Sequence, residues 1–237
     1  MNLLDVSHVS KRFGGLTANE DVSFTVDKGQ IVGLIGPNGA GKTTLFNCVA
    51  GYFPPSSGTI TLDGRSIAGL SPEACARAGV ARTFQIARTF ASMTACENVM
   101  TAAMLITRSV SEARASAMRW LAFANLERFA DKPAASMTIS EQRRLAVARA
   151  LAIQPRILLL DEVMAGLNPS EVKQAVDVVL KIRDQGIASL IVEHVLEGIM
   201  PIADKIIVLD RGRKIADDTP RQVSSDPQVI SAYLGDA

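Results

Sequence analysis

An apolar run, Ile31 to Ile35, leads directly into Gly36-Pro37-Asn38-Gly39-Ala40-Gly41-Lys42-Thr43-Thr44, after which the chain reads as a helix. This strand-loop-helix passage constrains the fold more than any other segment. Glycines at this spacing let backbone N–H groups converge on phosphate oxygens, and the helix behind them adds partial positive charge. In such a G-x-x-x-x-G-K-T loop the Lys42 ammonium reaches the β- and γ-phosphates of a nucleotide and the Thr43 hydroxyl ligates Mg²⁺. Gly36, Asn38, Gly39, Gly41 and Thr44 complete the predicted cradle. By accident a chain of this length shows the pattern on the order of one time in a hundred.

A phosphate loop needs a parallel sheet around it, and 237 residues are enough for one compact domain with a small lobe attached. The balance of 25 Lys+Arg against 24 Asp+Glu leaves no basic footprint for nucleic acid. The 48% apolar content excludes a disordered chain. A mean hydropathy of +0.20 raises the question of a membrane span. None is predicted: the most apolar stretch, Ile187 to Val208, is broken by Glu193, His194, Glu197, Asp204 and Lys205. Asp5, His8, Lys11 and Arg12 occupy the place of a signal core, so the chain is expected to stay in the cytoplasm. Cys48, Cys75 and Cys96 lack metal-like spacing and read as buried, reduced thiols.

The remaining elements alternate as an α/β core requires. Strands are predicted at Leu3 to Val9, Val22 to Val26, Ala188 to Val192 and Ile206 to Leu209. A hairpin turns at Asp63-Gly64 between Thr59 to Leu62 and Arg65 to Ile67. Ser71-Pro72 starts a short helix. Phe84 to Ser136 reads as a helical insert, rich in Ala and Met that pack rather than bind a cofactor. Thr94 and Glu97 form a capping box there, and Ser111 is expected to cap a second helix carrying Trp120. Ser140 is expected to begin a helix ending before Pro155, and Arg156 to Leu160 leads into a strand ending at Asp161. Apolar positions at Val172, Ala175, Val176, Val179 and Leu180 predict an amphipathic helix closed by Gly186.

Ile157-Leu158-Leu159-Leu160-Asp161-Glu162 is the second chemical signal, delivering two carboxylates at the end of a strand, where α/β sheets place ligands. Asp161 can hold Mg²⁺ through water, and Glu162 can polarise the water that attacks a γ-phosphate. With the phosphate loop, these residues make the chain resemble the ATP-binding-cassette ATPases over nearly its full length. Further matching positions are Phe13 after Lys11-Arg12, Gln85 in Arg82-Thr83-Phe84-Gln85, Gly166-Leu167-Asn168, and His194 after a strand. The resemblance implies that Phe13 stacks on adenine and that Gln85 ligates Mg²⁺ and couples it to the helical insert. It also implies that Gly166 to Asn168 faces a second cassette and that His194 contacts the γ-phosphate and orients water. A RecA-like core, an antiparallel β subdomain and an α-helical subdomain are implied within one domain, with divisions at 1–85, 86–139 and 140–237.

Lys11-Arg12-Phe13-Gly14-Gly15-Leu16, Met93-Thr94-Ala95-Cys96-Glu97-Asn98-Val99, Ala165-Gly166-Leu167-Asn168-Pro169 and the tail from Ala232 to Ala237 narrow the resemblance to the ATPases of branched-chain amino-acid importers. The implied activity is hydrolysis of ATP with Mg²⁺, driving uptake of branched-chain or other hydrophobic amino acids at the cytoplasmic face of the membrane. Amides, urea and aromatic acids are the alternative cargoes. The implied partners are a second ATPase subunit, identical or not, membrane permease subunits and, indirectly, a substrate-binding protein. A repair or ribosome-bound cassette would need a coiled-coil insert, a tandem cassette or a basic surface, none of which is visible. A GTPase would need an Asn-Lys-x-Asp motif, which is absent. A cassette that binds ATP without hydrolysing it conflicts with Glu162 and His194.

Two positions depart from the family pattern. Val163 stands where most cassettes have Pro. Met137-Thr138-Ile139-Ser140-Glu141 stands where Leu-Ser-Gly-Gly-Gln normally presents a helix N-terminus to the partner's ATP. Thr138 and Ser140 keep hydroxyls for that contact. A Glu141 carboxylate about 6 Å from a phosphate charge would cost about 0.7 kcal/mol in water and about 2.8 kcal/mol at an effective dielectric of 20. Alternatively Glu141 faces solvent in the first turn, where a helix start favours it.

Overall fold

The computed structural model describes residues 2–83 and 89–234. Its strands are β1 (Asn2–Phe13), β2 (Leu16–Asp27), β3 (Ile31–Ile35), β4 (Ser57–Leu62), β5 (Arg65–Ser66), β6 (Val80–Arg82), β7 (Ile157–Asp161), β8 (Ala188–Val192), β9 (Lys205–Asp210) and β10 (Arg213–Asp218). The helices are α1 (Lys42–Val49), α2 (Pro72–Ala78), α3 (Ala95–Ala103), α4 (Val110–Phe123), α5 (Ile139–Leu151), α6 (Pro169–Asp184), α7 (Leu196–Ile199), α8 (Pro220–Ser224) and α9 (Pro227–Leu234).

β2, β1, β4 and β5 form an antiparallel sheet in that order, and a six-stranded sheet runs β10-β9-β3-β8-β7-β6. Its strands from β9 to β6 are parallel, while β10 returns antiparallel on β9. Every residue of β3, β7 and β8 is buried. This is why they read as continuous apolar runs rather than alternating ones. Period-two geometry splits them between two cores. Val32, Leu34, Leu159, Leu190 and Val192 face α1 and the antiparallel sheet. Ile31, Ile35, Leu158, Leu160 and Ile191 face α5, α6 and the helical insert, whose Ala95, Val99, Ala113, Ala117, Trp120 and Leu121 pack in the same cluster. The family fold inferred from the motifs is the one observed.

The register aligns the strand ends that carry chemistry. Leu34 pairs with Val192, and Val192 with Asp161. The residues after Ile35, Asp161 and Val192 therefore emerge along one edge of the sheet.

Several local expectations need correction. Ser109, not Ser111, caps α4: it is extended and its Oγ accepts the Glu112 N–H, whereas Ser111 already lies in the first turn. Thr138, not Ser140, caps α5, because the residue three before the free Glu141 N–H is Thr138. β5 stops at Ser66 instead of Ile67, while β1 and β2 run on to meet across Gly14-Gly15. β6, α7, β10, α8 and α9 were not anticipated. The Thr94–Glu97 box is present, and all three cysteines are buried and free. Burial pushes the Cys48 thiol up to about 11, which keeps it inert. Among the described residues no helix is long and apolar enough to cross a membrane.

Candidate functional site

The loop after β3 closes on itself. Gly36 (φ +145°) lies so near the backbone that a Cβ there would sit 2.0 Å from the Leu209 carbonyl oxygen, and one on Gly41 (φ +95°) would sit 2.4 Å from that of Ala18. Only glycine fits either place. Lys42 opens α1 and is 5% exposed; its Nζ donates to the carbonyl oxygens of Gly36 at 2.7 Å and Pro37 at 2.9 Å. Burial lowers its pKa, with Glu162 partly opposing the shift. A buried ammonium held by carbonyl dipoles is suited to an anionic ligand.

Asn38 to Thr44 line a cavity of about 520 Å³ together with Leu16, Thr17, Ala18, Glu162, His194, Arg211 and Gly212. That volume is in the range of small-molecule sites. Glu162 takes a left-handed conformation (φ +49°), and its Oε1 lies 3.1 Å from His194 Nε2. The two residues are 32 apart in sequence, and the β7–β8 register brings them together.

Asp161 is 7% exposed and bound by Arg82, whose Nη2 donates to Oδ2 at 2.8 Å. Arg82 also donates to Asn47 Oδ1 on α1 and stacks its guanidinium over Phe46 and Tyr52. One arginine thus ties the phosphate-loop helix to the strand end that carries Asp161. The carboxylate of Asp161 and the hydroxyl of Thr43 are hard oxygen donors that suit Mg²⁺, a cation that keeps several waters and needs few protein ligands.

Other expected residues lie elsewhere. Phe13 ends β1 outside the lining of this cavity, 41% exposed and edge-on to Phe53 at 5.3 Å, with Lys11 Nζ 4.9 Å from its ring centroid. Gln85 lies outside the described residues. Thr138 and Ser140 sit at the start of α5. The Glu141 carboxylate turns back to accept the Thr138 N–H at 2.8 Å and lies 3.5 Å from Lys132 Nζ. Its side chain is 13% exposed, so the solvent-facing alternative is replaced by a capping role. Asn168, in the loop expected to face a second cassette, caps α6 in a box with Glu171.

Sequence reading missed Leu16 to Ala18 and Arg211 as cavity residues. It also passed over Glu193, which is fully buried and accepts the N–H groups of Met164 at 2.7 Å and His194 at 3.3 Å. Burial raises the pKa of Glu193, against the lowering effect of these amides and that of Val195.

The ABC transporter family profile matches residues 19–165, more than half of the chain. The protein is an ABC transporter ATPase. A second profile, for the branched-chain amino acid ATP-binding cassette transporter, matches residues 213–237 of this ABC ATPase. It is 43% identical to the high-affinity branched-chain amino acid transport ATP-binding protein BraF of Pseudomonas aeruginosa, covering 99% of this chain and 98% of that protein. With LivG of Escherichia coli, likewise a high-affinity branched-chain amino acid transport ATP-binding protein, it shares 41% identity over the same shares of the two chains. Among solved structures, the ADP conformation of MJ1267, an ATP-binding cassette of an ABC transporter, superposes with a TM-score of 0.91 at 28% identity over the whole of both chains. The dimeric post-hydrolysis cassette MJ0796, bound to ADP and Pi, superposes with a TM-score of 0.82 at 26% identity over 92% of this ABC ATPase and 99% of that chain.

Proposed function

We propose that this ABC ATPase is the ATP-hydrolysing subunit of an importer for branched-chain or other hydrophobic amino acids. The observation that carries the cargo class is the C-terminal match at 213–237. Full-length likeness alone does not select it, since the lipopolysaccharide export ATP-binding protein LptB of Escherichia coli is 34% identical over the whole chain.

In this reading Lys42 leaves the Gly36 and Pro37 carbonyls to bind the β- and γ-phosphates, and Asn38 to Thr44 supply converging N–H groups. Thr43 and Asp161 hold Mg²⁺, with Gln85 as a further ligand. When bound, Mg²⁺ neutralises charge on the phosphate oxygens. Arg82 keeps the Asp161 carboxylate turned toward α1. Glu162 accepts a hydrogen bond from the attacking water, and His194 fixes its direction, so that water adds to the γ-phosphorus as ADP leaves. Phe13 supplies an aromatic face for adenine.

A second cassette completes the site by presenting the N-terminus of its own α5, with Thr138 and Ser140, to the γ-phosphate. The segments 1–85, 86–139 and 140–237 work as a core, a helical lobe and the remaining core. On that lobe Phe90, Met104, Ile106 and Val110 are 44 to 63% exposed, apolar side chains suited to contact with permease subunits at the cytoplasmic side of the membrane. A substrate-binding protein delivers the cargo to those permeases.

The reading is tested in proteoliposomes containing this subunit, its cognate permeases and the binding protein. ATP turnover rises several-fold with leucine-loaded binding protein and does not respond to urea or amides. Stimulation by urea or an amide, with none by a hydrophobic amino acid, refutes the cargo.

A further inference from the structure

Between the two loops that bear Glu162 and His194 lies a carboxylate to which the chemistry above assigns no task. Glu193 follows the last residue of β8 and is fully buried. A buried carboxylate is costly unless hydrogen bonds compensate it, and an apolar side chain would fill the same space without that penalty. The compensation here comes from two loops at once. Oε1 accepts the N–H of Met164, two residues beyond Glu162, at 2.7 Å. Oε2 accepts the N–H of His194 at 3.3 Å, and the Val195 N–H also bonds to the carboxylate.

The position of this tie matters. The β7–β8 pairing ends at Asp161 and Val192, followed by one more backbone bond from the Glu162 N–H to the Val192 carbonyl at 2.9 Å. Beyond it the chains diverge, and Glu162 enters a left-handed conformation that a residue with a Cβ adopts reluctantly. The Glu193 side chain continues the connection where the sheet's own hydrogen bonds stop. Met164, the other anchor, is fully buried, so the bond fastens to a fixed point.

We infer that Glu193 is a positioning residue for hydrolysis: it clamps the Met164 and His194 amides together and so sets the approach of His194 Nε2 to Glu162 Oε1. The inference rests on Glu162 and His194 acting as a pair on water. Glu193→Gln preserves shape and one acceptor oxygen but turns an NH₂ group toward backbone N–H, releasing one of the two loops.

The test compares Glu193→Gln and Glu193→Ala with His194→Ala in the assembled transporter, measuring kcat, KM for ATP and the melting temperature. A misaligned pair predicts a kcat about 10- to 100-fold lower with KM within about twofold. It also predicts that Glu193→Gln combined with His194→Ala is no slower than His194→Ala alone, because both changes disable one unit. A kcat within twofold of wild type overturns the inference. So does a multiplicative double variant, or failure of both Glu193 variants to fold, which would make the carboxylate a stability residue only. If His194→Ala itself retains full turnover, the pairing of Glu162 with His194 is wrong and the inference falls with it; this outcome is distinct from an effect missing at Glu193 alone.

Discussion

Lys42 shows how a single residue carries its function in its surroundings. Its ammonium is buried against two carbonyl oxygens of its own loop, and burial lowers its pKa. Phosphate oxygens would replace dipoles with full charges, so binding nucleotide relieves the desolvation of Lys42. Lys42→Ala removes charge-assisted hydrogen bonds of about 1.5–3 kcal/mol, predicting ATP affinity weaker by roughly 10- to 150-fold. Titration with a fluorescent ATP analogue measures it, and unchanged affinity would refute the role given to Lys42. That Lys42, Thr43, Asp161 and Glu162 come to one edge of the sheet was legible because each lies in a contiguous motif that follows an apolar strand. The Arg82–Asp161 pair spans 79 residues and the Glu193–Met164 bond 29, so no local pattern encodes either; both depend on which strands lie side by side.

Helix starts illustrate the same divide at the level of elements. The Thr94–Glu97 box was read from its spacing, whereas Thr138–Glu141, with the same Thr-x-x-Glu pattern, was weighed chiefly as a phosphate-facing segment. In the structure Glu141 is engaged by the Thr138 N–H, with Lys132 beside it, and these hold its pKa below the usual carboxylate range. The charge would therefore press on a phosphate held by a second cassette less than the sequence alone suggested. Glu141→Gln preserves a capping box and is expected to change turnover by less than about twofold, whereas Glu141→Ala loses about 1 kcal/mol of helix capping. Because the folded-state pKa of Glu141 is depressed, its ionised form stabilises the fold above the ordinary carboxylate pKa. That contribution is lost as the pH falls through the depressed value. Thermal melts should thus show a gap between wild type and Glu141→Ala at pH 7 that narrows only below about pH 4.3. A gap that widens in acid would contradict the capping role. Adding Ser140→Gly allows closer backbone approach across a cassette dimer, and turnover that rises with Ser140→Gly but not with Glu141→Gln would show that the side chain at residue 140, not 141, limits that approach.

For the molecule as a whole, the sheet order matters more than any one motif. Parallel β3, β7 and β8 deliver the phosphate loop, Asp161–Glu162 and Glu193–His194 to one edge, where a cavity of about 520 Å³ collects Lys42, Glu162 and His194. The alternation of strands and helices predicted such a core. The C-terminal α8 and α9 were not legible, because helices of five and eight residues are too short for a hydrophobic period to stand out. The hydropathy of the chain finds two outlets: a core on each face of the sheet, and exposed apolar side chains on the helical insert. In the proposed mechanism Glu162 acts on water while Lys42 holds the nucleotide. Glu162→Gln should keep ATP affinity within about threefold while lowering steady-state phosphate release in the assembled transporter at least about 100-fold. Phosphate release at the wild-type rate from that variant would contradict it.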